Sequence, residues 1–109
     1  MATGRLTIGG ALQLGTSNTT LYTVPSLNYT VFNVSLTNTG TTAVTIQLAI
    51  ATTASPATAE WIEYGTTIQP KGVFERTGLV AGAGLNIVGL ASIANQVNAT
   101  VYGIETSTS

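Results

Sequence analysis

The sequence predicts an all-β protein, an antiparallel β-sandwich of the jelly-roll or immunoglobulin-like type with an extended N-terminal arm. Apolar residues alternate with other residues along several short runs, turn-forming Gly, Pro and Asn separate those runs, and no stretch shows helical spacing. Because successive side chains of a strand point to opposite faces, this alternation indicates strands with one buried face. About seven such strands separated by turns are typical of a sandwich or barrel.

The chain divides into an N-terminal arm at residues 1–20, a sandwich domain at 21–105 and a flexible tail at 106–109. Glycines punctuate the first part and make a regular strand there doubtful, so an extended arm and an edge strand of the same domain are both open. On the arm hypothesis, this segment adds a strand to a neighbour or wraps it. The residues predicted to contact another subunit or a shell are Arg5, Leu6, Ile8, Leu12 and Leu14.

The first strand of the domain, at residues 21–24, ends before Pro25, which lacks the backbone donor that a ladder needs. The two clearest alternations follow, at residues 29–36 and 43–50. Asn38-Thr39-Gly40 lies between them, and Asn and Gly tolerate the positive φ of tight turns. These two strands are therefore predicted to form a hairpin.

The second half of the chain continues the pattern. Residues 51–59 are rich in Ala and Thr, but Pro56 interrupts them, which predicts a loop or a single turn. Gln69-Pro70-Lys71-Gly72 predicts a β-turn, because proline presets φ at the second position. Strands are predicted at residues 60–64, 73–79, 85–90 and 97–104.

Charge is scarce in this sequence. Charged residues make up 6% of the 109, against about 25% in typical soluble domains. Thr, Ser and Asn take the polar positions instead, and a net charge of −1 favours association. Three basic residues are too few for a nucleic-acid surface, and no run approaches the roughly 20 apolar residues of a membrane span. The composition predicts a neutral surface suited to burial against other subunits, with no nucleic-acid or membrane partner.

The inventory of reactive side chains predicts that the protein is not an enzyme and binds no cofactor or metal. Without His or Cys, the chain lacks the usual base of a nucleophilic triad and the usual zinc ligands. Glu60 and Glu63 are close in sequence but point to opposite sides of a strand. Glu75 and Arg76 diverge in the same way. We interpret these groups as surface charges or as a local ion pair between strands.

Five short blocks are spread over residues 21–105. They are Leu21-Tyr22-Thr23-Val24-Pro25, Asn33-Val34-Ser35-Leu36-Thr37-Asn38-Thr39-Gly40, Glu60-Trp61-Ile62-Glu63-Tyr64, Glu75-Arg76-Thr77-Gly78-Leu79 and Val101-Tyr102-Gly103-Ile104-Glu105. As a set, these blocks resemble a group of small virion proteins of tailed bacteriophages. The resemblance implies a β-sandwich that decorates or cements a capsid, or that forms part of a neck, tail or fibre. It transfers no catalytic residue.

Together these features lead to the hypothesis of a bacteriophage virion structural protein, specifically a capsid decoration (cement) protein on the head surface. Its expected partners are the major capsid protein or other virion proteins, and copies of itself in a homo-oligomer, with a trimer favoured. A tail, neck or fibre component of the virion is one alternative. Another is a carbohydrate-binding module for host recognition, which would need Trp61 and Tyr64 exposed and coplanar.

Overall fold

A computed structural model describes residues 3–6 and 12–107, whose regular secondary structure consists almost entirely of strands. Among these residues the only helical element is a short 3-10 turn, Thr58–Glu60, at the end of the predicted loop. The all-β prediction is confirmed. The strands are β1 (Thr3–Arg5), β2 (Leu12–Gln13), β3 (Thr19–Thr23), β4 (Asn28–Asn38), β5 (Val44–Ala51), β6 (Trp61–Ile68), β7 (Val73–Ala81), β8 (Asn86–Ala91) and β9 (Val97–Ser107).

The strands form two antiparallel sheets that pack face to face. Sheet I has the order β1-β9-β4-β7, with β2 pairing along β9 beyond the end of β1. Sheet II has the order β3-β8-β5-β6. The predicted β-sandwich is therefore confirmed.

The core between the sheets comes from the alternation seen in the sequence. Phe32, Val34 and Leu36 of β4 point inward from sheet I, and Ile46 and Leu48 of β5 meet them from sheet II, all at most 1% exposed. Burying one such side chain contributes about 1.5–3 kcal/mol relative to leaving it in water. The packing of these two faces fixes which side of each sheet is left outside.

β4 and β5 lie in different sheets, so the predicted hairpin between them is wrong. The connection is a corner built around Asn38, which is fully buried. Its Nδ2 donates to the carbonyl oxygens of Thr42 (2.9 Å) and Ile68 (3.0 Å), and its Oδ1 accepts from Gly40 N and Gln96 Nε2, each at 3.0 Å. All hydrogen-bonding positions of the amide are used. These bonds hold the chain as it crosses between sheets.

Sheet edges at β6 and β7 carry features that disfavour pairing with another chain. The register of each strand shifts at a glycine with positive φ, Gly65 in β6 and Gly78 in β7, so each edge contains a bulge. Arg76 of β7 spans the gap between the sheets, donating to the Ile62 carbonyl at 3.3 Å and forming an ion pair with Glu63. Bulges and charged groups are common protections of edge strands.

The boundaries of the sandwich differ from those predicted. β1 and β2 pair with β9, and β3 begins at Thr19, so described residues before 21 belong to the sheets. The extended N-terminal arm stays a prediction. β9 extends to Ser107 and so includes the first two residues of the predicted tail. Residues 1, 2, 7–11, 108 and 109 lie outside the described residues.

Candidate interaction surface

An exposed apolar row crosses the outer face of sheet I. Val31 of β4 stands opposite Val80 of β7 on one side and Ile104 of β9 on the other. Their exposed fractions are 44%, 59% and 53%, respectively. They point outward because their strand neighbours Thr30, Ala81 and Glu105 point into the sandwich. We call these three residues the apolar row.

Apart from Tyr29 and the exposed Val73 of β7, most of the rest of this outer face is polar, and it is almost free of charge. Tyr29 extends the apolar row along β4, and Thr, Ser and Asn fill most other outward positions of β4 and β9. Glu75 of β7 is the charged side chain described on this face, and Tyr102 of β9 donates to it at 3.1 Å. This hydrogen bond is the main reason that the pKa of Tyr102 is raised. A solvated sheet face would normally carry several charges.

The outer face of sheet II is partly covered by the chain itself. Ala49, Ala51 and Val88 form a second apolar cluster, 0% exposed, and Trp61 packs over them. The loop that precedes Trp61 is fastened by Glu60, which accepts from the backbone N–H of Ala57 at 2.8 Å.

A second hydrogen bond to the Glu60 carboxylate comes from Thr52 N at 3.1 Å. The bond from Ala57 and then that from Thr52 lower the pKa of Glu60. The charge of Glu60 therefore fixes the loop locally, and this glutamate is not paired with Glu63.

Trp61 and Tyr64 do not form a flat platform. Their rings are 6.0 Å apart with an interplanar angle of 66°, an edge-to-face arrangement. Tyr64 is 74% exposed, whereas Trp61 is half-buried on the alanine cluster. A coplanar pair, which the carbohydrate-binding alternative requires, is absent at these two residues.

The predicted contact residues of the N-terminal segment lie mostly against the chain's own sandwich. Leu14 is completely buried in the core, and Leu6 is 6% exposed. Leu12 is half-buried at the edge of the core, in register with Ala99 of β9. Arg5 occupies the β1 position opposite Tyr102. Ile8 lies outside the described residues. Contact of these residues with a partner stays a prediction.

The carboxylates serve structural bonds. Glu63 pairs with Arg76, as the ion-pair interpretation predicts, and its pKa is lowered mainly by a hydrogen bond from Thr66 and further by Arg76. Glu105 is buried at one end of the sandwich, where Tyr22 donates to it. No group of three or more potential metal ligands occurs within the described ranges.

The bond between Tyr22 and Glu105 joins β3 of sheet II to β9 of sheet I. Burial, with the hydrogen bond and the charge of Glu105 as further causes, raises the pKa of Tyr22 from 10.0 to about 12. Thr30 lies at 3.4 Å from the same carboxylate oxygen. The carboxylate therefore links the two sheets where the core ends.

Neither a protein-family model, nor a curated protein, nor a solved structure matches this chain. In the part of the chain that the structure describes, no helix has the length and apolar character to cross a membrane. The apolar row was not identified from the sequence. Val31 was visible in the sequence as an apolar residue in the outward phase of β4. The alignment of Val31 with Val80 and Ile104, however, depends on strand register.

Proposed function

We propose that this chain is a structural protein of a phage particle, a capsid decoration (cement) protein that binds and stabilises the head shell. The observation that carries the proposal is the outer face of sheet I, which is apolar along one row and nearly free of charge elsewhere. A surface of this kind gains more from contact with neighbouring subunits than from exposure to water.

The order of the strands supports a jelly roll as the type of sandwich. β2 pairs with β9, β3 with β8, β4 with β7 and β5 with β6, as in one long ribbon folded on itself and rolled up. Viral capsid and lectin domains are among the proteins with jelly rolls. Because one fold supports many functions, the surface carries the proposal and the fold is compatible with it.

A rigid sandwich with such a surface suits repetitive attachment. Each copy would bridge adjacent subunits of the major capsid protein, so the energy required to separate those subunits would rise. Modest affinity per copy is sufficient, because many symmetry-related copies, or copies joined in an oligomer, bind together. The role needs no catalytic group, in keeping with the structural use of the described carboxylates.

The direct test adds the purified chain to phage head shells that lack it. We expect the chain to sediment with the shells and the decorated shells to survive higher temperature or lower salt than bare shells. A charge-poor β-sandwich of similar size from an unrelated source is the matched control. Absence of binding, or binding without any gain in shell durability, would remove the cement role.

Imaging of the intact particle decides between this role and that of a tail, neck or fibre component. Density for the sandwich on the head surface supports decoration. Density confined to the tail or neck favours the other virion role.

A further inference from the structure

We infer that the outer face of sheet I is a self-association surface, on which two copies of the chain pack face to face about a twofold axis parallel to the strands. The inference concerns copies of this chain alone and does not depend on the proposed virion role. Because both use the same face, a second copy and the shell would compete for it. It follows from the size of the face, from the position of the apolar row and from the placement of two charged residues.

The face is large enough for a stable interface. β4 and β9 contain 11 residues each and β7 contains 9, whereas β1 contains 3 and β2 contains 2. At about 3.4 Å per residue and about 4.8 Å between strands, these strands cover roughly 590 Å². Specific protein interfaces bury about 600–1,000 Å² per partner. The face therefore has about the area at the lower end of that range.

The apolar row matches itself under this symmetry. In sheet I, β9 and β4 are the inner strands, and β1 and β7 are the outer ones. A twofold axis that runs between β9 and β4 places Ile104 of one copy over Val31 of the other, and Val31 over Ile104. Val80 then faces the β1 position of the second copy. Such an isologous contact buries the whole row in both copies at once.

The same axis brings opposite charges to the same edge. Arg5 stands in register with Tyr102 at the β1 edge, and Glu75 lies on β7 at the opposite edge. Along β4, Glu75 stands opposite Ser35, and Tyr102 stands opposite Asn33. Ser35 and Asn33 are two residues apart on the same outer face. Residues two apart on a strand are separated by about 7 Å. The twofold operation therefore places the backbone position of Arg5 in one copy beside the β7 segment that carries Glu75 in the other.

The outer face of sheet II does not offer an equivalent surface. Trp61 already packs over the buried cluster of Ala49, Ala51 and Val88. The apolar row of sheet I has no such cover among the described residues. The apolar cluster of sheet II is therefore covered by the chain itself, whereas the apolar row is left for a second copy.

The first experiment measures the mass of the full chain by sedimentation equilibrium from low micromolar to several hundred micromolar protein. We expect a reversible dimer. Val31→Lys should weaken it at least tenfold, because each dimer would contain the added charge twice at the centre of the row. Thr45→Lys, at an exposed position of β5 in sheet II, is the matched control and should leave the dimer unchanged.

The second experiment tests the charge placement by exchange of signs. Arg5→Glu and Glu75→Arg should each weaken the dimer severalfold, since each variant brings two like-charged pairs together. An equimolar mixture of the two variants should dimerise again, because both contacts in the mixed dimer are then attractive. Circular dichroism and thermal unfolding show whether each variant is folded.

Three results would overturn the inference: a wild-type chain that stays monomeric, a folded Val31→Lys variant that associates as the wild type does, or a mixture that associates no better than its two components. No shell is present in these measurements, so the dimer can be confirmed even if the virion role is disproved. Failure of the dimer would likewise leave shell binding to be judged by its own test.

Discussion

Replacing Asn38 with alanine is expected to remove the corner that holds the two sheets together between β4 and β5. The buried amide donates to the carbonyl oxygens of Thr42 and Ile68 and accepts from Gly40 N and Gln96 Nε2. Alanine deletes all of these bonds. Gly40 N and the Ile68 carbonyl lose this partner, whereas Gln96 Nε2 and the Thr42 carbonyl still bond to each other at 2.8 Å. The loss therefore combines missing hydrogen bonds with groups near the core that lose a partner.

The magnitude follows from the number of bonds. A hydrogen bond contributes about 1 kcal/mol net, and a buried group left unpaired costs about 1–3 kcal/mol. We expect Asn38→Ala to lower the free energy of unfolding by about 4 kcal/mol, a large part of the roughly 5–15 kcal/mol of an ordinary domain. Asn38→Asp should not rescue it at neutral pH, because a carboxylate oxygen would face the Thr42 and Ile68 carbonyls. At acidic pH the aspartate of this variant becomes protonated, and its O–H restores one hydrogen-bond donor. Part of the lost stability should then be recovered.

Urea unfolding followed by circular dichroism and by Trp61 fluorescence measures these changes. Asn98→Ala is the matched control, since Asn98 is exposed and accepts one side-chain bond, from Gln13 at 2.9 Å. Its expected loss is at most about 0.5 kcal/mol. If Asn38→Ala lost no more than this control, the corner would not hold the sheets and the reasoning would be refuted.

Two further substitutions test other contacts of the sandwich. The pKa of Tyr22 is raised from 10.0 to about 12 in the folded chain, so its contribution to the free energy of unfolding is complete below pH 10 and is lost as the pH rises towards 12. In unfolding titrations, Tyr22→Phe should remove about 2 kcal/mol of this loss of stability at alkaline pH. An unchanged pH profile would exclude a role for the bond between Tyr22 and Glu105. Gly103→Ala would place a Cβ 2.7 Å from Phe32 Cα of the paired strand. We therefore expect urea unfolding to show a loss of about 3 kcal/mol in the free energy of unfolding. Gly82→Ala, with open space around it, should have little effect, and equal effects of the two substitutions would contradict the packing argument.

The strands themselves were largely predictable, because the alternation that defines them is local. Val44, Ile46 and Leu48 repeat at every second position, and that alone predicts the buried face of β5. The bulges inside β6 and β7 were harder to predict from the sequence. A glycine such as Gly78 marks a possible bulge, but its position opposite Asn33, whose Oδ1 accepts from Gly78 N at 3.0 Å, is a tertiary fact.

The pairing of the strands could not be predicted from neighbouring residues. Asn38 and Gly40 have the residue types of a tight turn, and this local signal indicated a hairpin. The side chain of Asn38 instead bonds to Ile68 and Gln96, which are 30 and 58 residues away. No local pattern reports contacts at that separation, so the corner and the sheet assignment were out of reach.

The candidate surface also combines a local feature that the sequence shows with a tertiary one that it does not. Val31 was visible as an apolar residue in the outward phase, whereas a row requires that Val80 and Ile104 lie beside it. That alignment is set by the register of β7 and β9 against β4. The composition, in contrast, already indicated a surface with few charges.

The nested pairing of the strands also constrains the route by which the chain folds. β5 and β6 are close in sequence, whereas Gln13 and Asn98, bonded between β2 and β9, are 85 residues apart. Closing short loops before long ones costs less conformational entropy, so strand pairing should start at β5–β6 and then add the pairs that are farther apart in sequence. Folding should be slow, because many contacts join residues distant in sequence. Since β9 lies between β1 and β4, the outer face of sheet I is incomplete until that strand has been synthesised and docked. If copies associate as inferred, they would therefore meet through this face only once the C-terminal strand is in place.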